Sequence, residues 1–366
     1  MPPHYSFISP GFCHHRLFFT PILSSLLSNI NFRIRFTSNC FTDFQMREDN
    51  SILKENKPAT FRLCNVSSFT TELLEIRAEN PSFHVLFIPG NPGVIMFYKE
   101  FLERVYEMLD GCASVTGIGH IGQTRKNWEH GRRFSLQEQI DHKVDFIKQE
   151  FQNTEFPLLL VGHSIGSYIS LEVFKRTQEQ VKYCIGLYPF LSLNKDSLHQ
   201  SLIGKLAGSQ VLSTSVSAIV AVLGLLPISA IRFLVRMSVG KSYSSTAVEA
   251  VCSHLLQYHT MRNILFMAMK EFEKLAEVPD WNFIKEKQDQ VAFLFGIDDH
   301  WGPISMYEEI SKQVPEVALT IEREGHTHGF CCYVAGSVWV ADHVVSIIKS
   351  RFKSKPLRSD SSLGSP

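Results

Sequence analysis

The chain has 366 residues, of which 44% are hydrophobic and 20% charged, and its 36 Lys and Arg balance 36 Asp and Glu. That is ample apolar material for a large core, and the zero net charge argues against a nucleic-acid binder, which carries a basic excess. The 8 cysteines show no CxxC and no metal-ligand spacing. No metal, cofactor or disulfide framework is therefore expected, and the thiols read as free in a reducing compartment.

Residues 1–45 contain Arg16, Arg33 and Arg35, many Ser and Phe, and no acid before Asp43. They read as an extension outside the folded domain, either disordered sequence ahead of a translation start at Met46 or an organelle-targeting segment. Residues 70–78 read as a strand. Phe83–Ile88 is a continuous apolar run, as in strands buried on both faces of a sheet. It stops at Pro89-Gly90-Asn91-Pro92-Gly93, a dense turn signal. Phe97, Phe101, Val105 and Leu109 then recur at helical spacing. Strands are predicted over 113–118, 156–161, 181–187, 291–295 and 317–321, with helices over 136–151, 165–174, 305–313 and 334–351. Residues 193–280 break this alternation and read as a helical cap inserted over the sheet. The tail 353–366 is rich in Ser, Lys, Pro and Gly and reads as disordered. Short apolar strands alternating with amphipathic helices predict an α/β protein: a mostly parallel sheet with helices on both faces.

The chemistry centres on Gly162-His163-Ser164-Ile165-Gly166, between a predicted strand and a predicted helix. A GxSxG in that setting is a nucleophile elbow, in which the sharp turn lifts the Ser hydroxyl clear and the glycines let strand and helix pass closely. The fold this implies is the α/β-hydrolase fold, whose catalytic order is Ser, acid, His. Asp299, three residues past Gly296, is the acid, with Asp298 the alternative. His328 is the base, with His326 the alternative. The oxyanion hole needs backbone N–H donors. Ile165 supplies one. Asn91 or Gly93 supplies the other, since Pro92 has none to give. His120 and Gly122 end a strand near the same edge, where His120 reads as a packing residue more than a pocket one.

Taken together, FIPGNPG with Phe97-Tyr98, GHSIGSY around Ser164, Gly296-x-x-Asp299-x-Trp301 and His328-Gly329-Phe330 resemble the lipid droplet-associated hydrolase family, in particular a plant-like member. The resemblance covers residues 64–352. It implies an α/β-hydrolase on lipid droplets and the endoplasmic reticulum acting on an ester of a storage lipid or sterol. It also implies Ser164 as nucleophile, Asp299 as acid and His328 as base.

Residues 211–231 are largely apolar and uncharged. Their length is near the roughly 20 residues of a membrane span, but Gly224, Pro227 and several Ser suit a helical hairpin or interfacial segment better, resting on the droplet or the endoplasmic reticulum membrane. Arg232, Arg236 and Lys241 would meet the head groups. The same stretch could instead be a buried cap helix. Ester hydrolysis through an acyl-enzyme on Ser164 is the leading expectation. The rivals are acyl transfer by the same triad and a non-catalytic droplet protein that keeps the fold for binding.

Overall fold

The computed structural model describes residues 59–152, 156–239 and 242–352. The extension 1–45, Met46, Lys241 and the tail 353–366 lie outside the described residues. Eight strands form one sheet: β1 (Thr60–Val66), β2 (Phe69–Ile76), β3 (Phe83–Ile88), β4 (Ala113–Ile118), β5 (Leu158–His163), β6 (Val181–Leu187), β7 (Val291–Gly296) and β8 (Ala318–Glu322). Their order is β1-β2-β4-β3-β5-β6-β7-β8. β2 pairs antiparallel with both β1 and β4, and every pair from β4–β3 to β7–β8 is parallel.

The apolar runs behave as strands covered on both sides. Val85 and Phe87 join one core layer with helices α1 (Lys99–Met108) and α11 (Val334–Phe352). Leu86 and Ile88 point the other way, into a second layer with α2 (Leu136–Phe151), α3 (Ile165–Arg176) and α10 (Ile304–Gln313). Side chains alternate along a strand, so an uninterrupted apolar run fills both layers at once. Local signals fix the helix starts. Ser135 and Glu138 form a capping box at the start of α2.

Two elements differ from expectation. The turn of helix at Ile95–Tyr98 is 3₁₀, and α1 proper begins at Lys99. β1 carries no prediction, and it extends the sheet to Thr60, ahead of the stretch that bears the resemblance. It joins β2 through Ser67 and Ser68, at φ 50° and 70°. A two-residue hairpin turn with positive φ at both positions usually announces itself as Asn-Gly or Asp-Gly. Ser-Ser hides it.

Between β6 and β7 the chain makes α4 (Leu198–Gly208), α5 (Gln210–Leu223), α6 (Ile228–Val239), α7 (Ser245–Ala250), α8 (Tyr258–Lys274) and α9 (Trp281–Glu286). Ser209 caps α5, whose axis turns 91° from α4, and Pro227 stands between α5 and α6. Residues 211–231 are thus two helices, and no single helix among the described residues is long and apolar enough to cross a membrane. α8 packs against α4 and α5. The loops after β3, β5, β7 and β8 meet at the carboxyl end of the sheet, where neighbouring connections leave β3 and β5 in opposite directions. In open α/β sheets that switch point is where a cleft forms.

Candidate active site

Ser164 stands in the turn between β5 and α3, at φ +56° and ψ −124°. A non-glycine residue is strained there and persists only where its surroundings over-determine it. Its N–H donates to Leu187 O at 2.9 Å, and its carbonyl accepts from Phe190 N–H at 3.2 Å. Ser167 Oγ donates to Gly162 O at 2.9 Å. The flanking glycines are a steric necessity. A Cβ on Gly162 would stand 2.2 Å from Gly166 O, and one on Gly166 would stand 2.3 Å from Ile88 O.

The candidate acid and base come from two other loops. Asp299 follows β7, with its side chain 1% exposed, and its Oδ1 accepts the Trp301 N–H at 2.8 Å. Its Oδ2 lies 2.8 Å from Nδ1 of His328, on the loop after β8. That bond fixes the tautomer and leaves Nε2 as the acceptor. Asp298 is exposed, and His326 packs beside Trp339 with ring centroids 5.7 Å apart. Ser164 and His328 line one cavity, and neither Asp298 nor His326 does. Ser164 Oγ and His328 Nε2 have no hydrogen-bond partner among the described residues. Such bonds are often long in an unliganded site and tighten around the substrate.

The loop after β3 has few free donors. Gly90 N–H donates to Tyr98 Oη at 3.2 Å, and Gly93 N–H donates to Gln123 Oε1 at 2.6 Å. Pro92 has none. Of the two options left open by sequence, Gly93 is therefore occupied, and Asn91 N–H is left without a partner among the described residues, as is Ile165 N–H at the start of α3. His120 is fully buried against this loop and does not line the cavity. A Cβ on Gly93 would fall 2.1 Å from its ring. At Gly122, φ is +76° and a Cβ would strike Asn263. His120 thus shapes the loop from behind, whereas Gly122 lets α8 approach closely.

Three groups have no counterpart in the sequence-based assignment of roles. Tyr98 Oη accepts from Gly90, so its proton goes to His163 Nδ1, 2.8 Å away. His163 Nε2–H then donates to the carbonyl of His328 at 2.9 Å. Burial, with His328 adding repulsion, holds His163 far below the usual histidine range, so it stays neutral and can accept on one nitrogen while donating from the other. One buried chain of hydrogen bonds thus ties the β3 loop to the elbow and the base loop. The third group is Glu271 of α8, 4% exposed, whose Oε1 accepts from Asn91 Nδ2 at 2.9 Å. Burial pushes its carboxyl up to about 8, against the Asn91 hydrogen bond. A signal for it existed. Ile264, Ala268 and Phe272 form an apolar stripe at helical spacing, and Glu271 sits on it.

The family described as lipid-droplet associated hydrolase matches residues 81–331. The chain belongs to that family. A lipid droplet-associated hydrolase of Dictyostelium discoideum is 27% identical over 71% of this chain and 86% of its own length. The Gallus gallus protein of the same name is 29% identical over 68% and 80%. Among solved structures, a peroxisomal alpha-beta-hydrolase of Saccharomyces cerevisiae superposes with a TM-score of 0.58 at 13% identity, over 84% of this chain and 92% of its own. An epoxide hydrolase of Vigna radiata gives 0.57 at 14%, over 82% and 100%. Those two likenesses establish the α/β-hydrolase fold, as the sequence predicts, and family membership makes the chain a hydrolase.

Proposed function

We propose that the protein hydrolyses carboxylic esters of lipids at the surface of lipid droplets, through an acyl-enzyme on Ser164. The observation that carries this reading is the Asp299–His328 contact of 2.8 Å, opening on a cavity that Ser164 also lines. Ser164 Oγ attacks the ester carbonyl carbon while His328 Nε2 takes its proton. Asp299 holds the imidazolium that results. The oxygen that becomes negative meets the free N–H groups of Ile165 and Asn91. Collapse breaks the bond to the alcohol, which leaves with the proton from His328. Water then gives a proton to His328, attacks the acyl carbon and releases the acid as Ser164 regains its proton.

The way to the droplet runs through the cap. Val211, Val222, Leu225, Phe233 and Met237, on α5, α6 and the turn between them, are 63–84% exposed. Large apolar side chains left in water along two successive helices mark an interaction surface. A helix pair that dips into one leaflet suits a droplet monolayer and the cytosolic leaflet of the endoplasmic reticulum alike. Arg236 is exposed at its edge, whereas Arg232 is held 2.8 Å from Glu249.

One observation favours a second reading: Ser164 Oγ lacks a hydrogen bond to its base, as in a fold kept for lipid or partner binding alone. A fluorophosphonate probe on the droplet-bound protein separates the two. Labelling of the wild type that is lost in Ser164→Ala supports the hydrolase, and a folded, droplet-bound wild type that stays unlabelled supports the binding protein. Scoring acyl transfer to added alcohols in the same assay tests the triad as an acyltransferase.

A further inference from the structure

Among the described residues Glu271 is the one carboxyl that lines the cavity, and the triad makes no use of it. Its surroundings are otherwise spoken for. Asn91 Nδ2 gives one hydrogen to Ile264 O at 3.0 Å and the other to Glu271 Oε1 at 2.9 Å. Asn91 Oδ1 accepts from Gln123 Nε2 at 3.3 Å. That closed network fixes the carboxyl's orientation. Oε2 has no protein partner among the described residues, and the cavity is what remains for it. Held protonated near neutral pH by burial, the group presents an O–H donor that can equally accept from a hydroxyl. The side chains of Ile264, Leu265, Ala268 and Phe272, which line the same cavity, offer no polar atom in exchange.

A ligand that fills this cavity displaces whatever water serves Oε2. A buried polar atom left unpaired penalises binding, whereas one that is met by a ligand hydroxyl does not. A sterol ester has a single polar centre, the ester itself, and Ser164 with its two N–H donors occupies that. Its alcohol part is hydrocarbon and leaves Oε2 unpaired. A partial acylglycerol has the same ester together with a free hydroxyl on a neighbouring carbon.

We infer that Glu271 is a specificity-determining residue that reads a free hydroxyl on the alcohol part of the substrate, so that the ester class this cavity fits is a partial acylglycerol and not a sterol ester. This rests on the hydrolase reading above. The test measures kcat/KM for monooleoylglycerol and for ethyl oleate, which shares the acyl chain and lacks the hydroxyl, with cholesteryl oleate alongside. Wild type, Glu271→Gln and Glu271→Leu are compared, each also titrated with the fluorophosphonate probe to count reactive Ser164. Wild type is expected to favour monooleoylglycerol over both other esters. Per labelled serine, Glu271→Leu is expected to narrow the ratio of monooleoylglycerol to ethyl oleate by about tenfold or more, the usual penalty range for an unmet buried hydrogen bond. Glu271→Gln keeps an acceptor for Asn91 and a donor for the substrate, and holds the ratio within about twofold. A ratio that Glu271→Leu leaves unchanged, or a labelled wild type that prefers cholesteryl oleate, overturns the inference. A wild type that never labels removes the hydrolase reading and this inference with it.

Discussion

Two acids stand side by side in the sequence and two histidines one residue apart, and spacing alone leaves Asp298 as an alternative to Asp299 and His326 to His328. The choice depends on which side chain turns inward, and backbone direction at a strand end is set by packing that no local pattern encodes. The structure brings Asp299 and His328 within 2.8 Å and leaves Asp298 exposed. His328→Ala is expected to lower kcat/KM on a lipid ester by about 10³-fold or more, and Asp299→Asn by a comparable factor, since the base then loses its tautomer. Asp298→Asn and His326→Ala are expected to stay within about threefold, a span small on the scale of triad losses. Steady-state kinetics on droplets checks all four. Ser164 differs in being readable from sequence, because the requirement on its glycine neighbours is steric and local. Glu271 lies at the other extreme. Its place in an apolar stripe is visible, but that it faces the β3 loop depends on how α8 folds back across the sheet.

Among the elements, the elbow is the least forgiving. Gly166→Ala would set a Cβ 2.3 Å from Ile88 O and 2.4 Å from Pro89 O, both backbone atoms that cannot swing aside. Such a clash is expected to cost several kcal/mol. Soluble yield and the thermal midpoint should both fall, and an unaltered midpoint would show that α3 can slide away from β3. The cap helices are the converse, because their outer faces touch no protein. Replacing Val222, Leu225 and Phe233 together by Glu is expected to leave the thermal midpoint within a few degrees, as exposed sites generally do. Each side chain prevented from entering the monolayer forfeits part of roughly 1.5–3 kcal/mol, so binding to artificial droplets is expected to drop by about tenfold or more. Flotation with the droplets measures it. The central strands are legible because an apolar run buried on both faces has no other good use. β1 is not, because its exposed, alternating face and its Ser-Ser turn lack the usual hairpin residues.

The molecule as a whole carries a signature in its pH dependence. Burial lowers His84 to about 4 and holds His120, His142 and His163 below the ordinary histidine value of 6.5. Above about pH 6.5 these rings are neutral whether folded or not. Below it the unfolded chain binds protons that the folded chain refuses, so stability falls as pH falls, by up to about 1.4 kcal/mol per pH unit for each ring. Glu271 acts with the opposite sign. Its carboxyl, raised from 4.5 to about 8, keeps its proton when the unfolded chain has lost it, which favours the folded state increasingly as pH drops from 8 to 4.5. One carboxyl is set against these four rings and against His199, His259 and His343, which burial also lowers, so the thermal midpoint is expected to decline from pH 6.5 to 5. A midpoint that rises over that interval in differential scanning calorimetry would contradict the burial of these histidines. A different consequence follows from where the loops leave the sheet. The loops that carry Ser164, Asp299, His328 and Asn91 follow β5, β7, β8 and β3, whereas α4 and α8, the helices that line the cavity, both hang on the single connection from β6 to β7. The cutting tool and the reader of the substrate are therefore separate lengths of chain, joined at two seams. Exchanging that one connector between related enzymes would change the preference for lipid and, with it, replace the Ile264 and Glu271 acceptors that hold the Asn91 side chain.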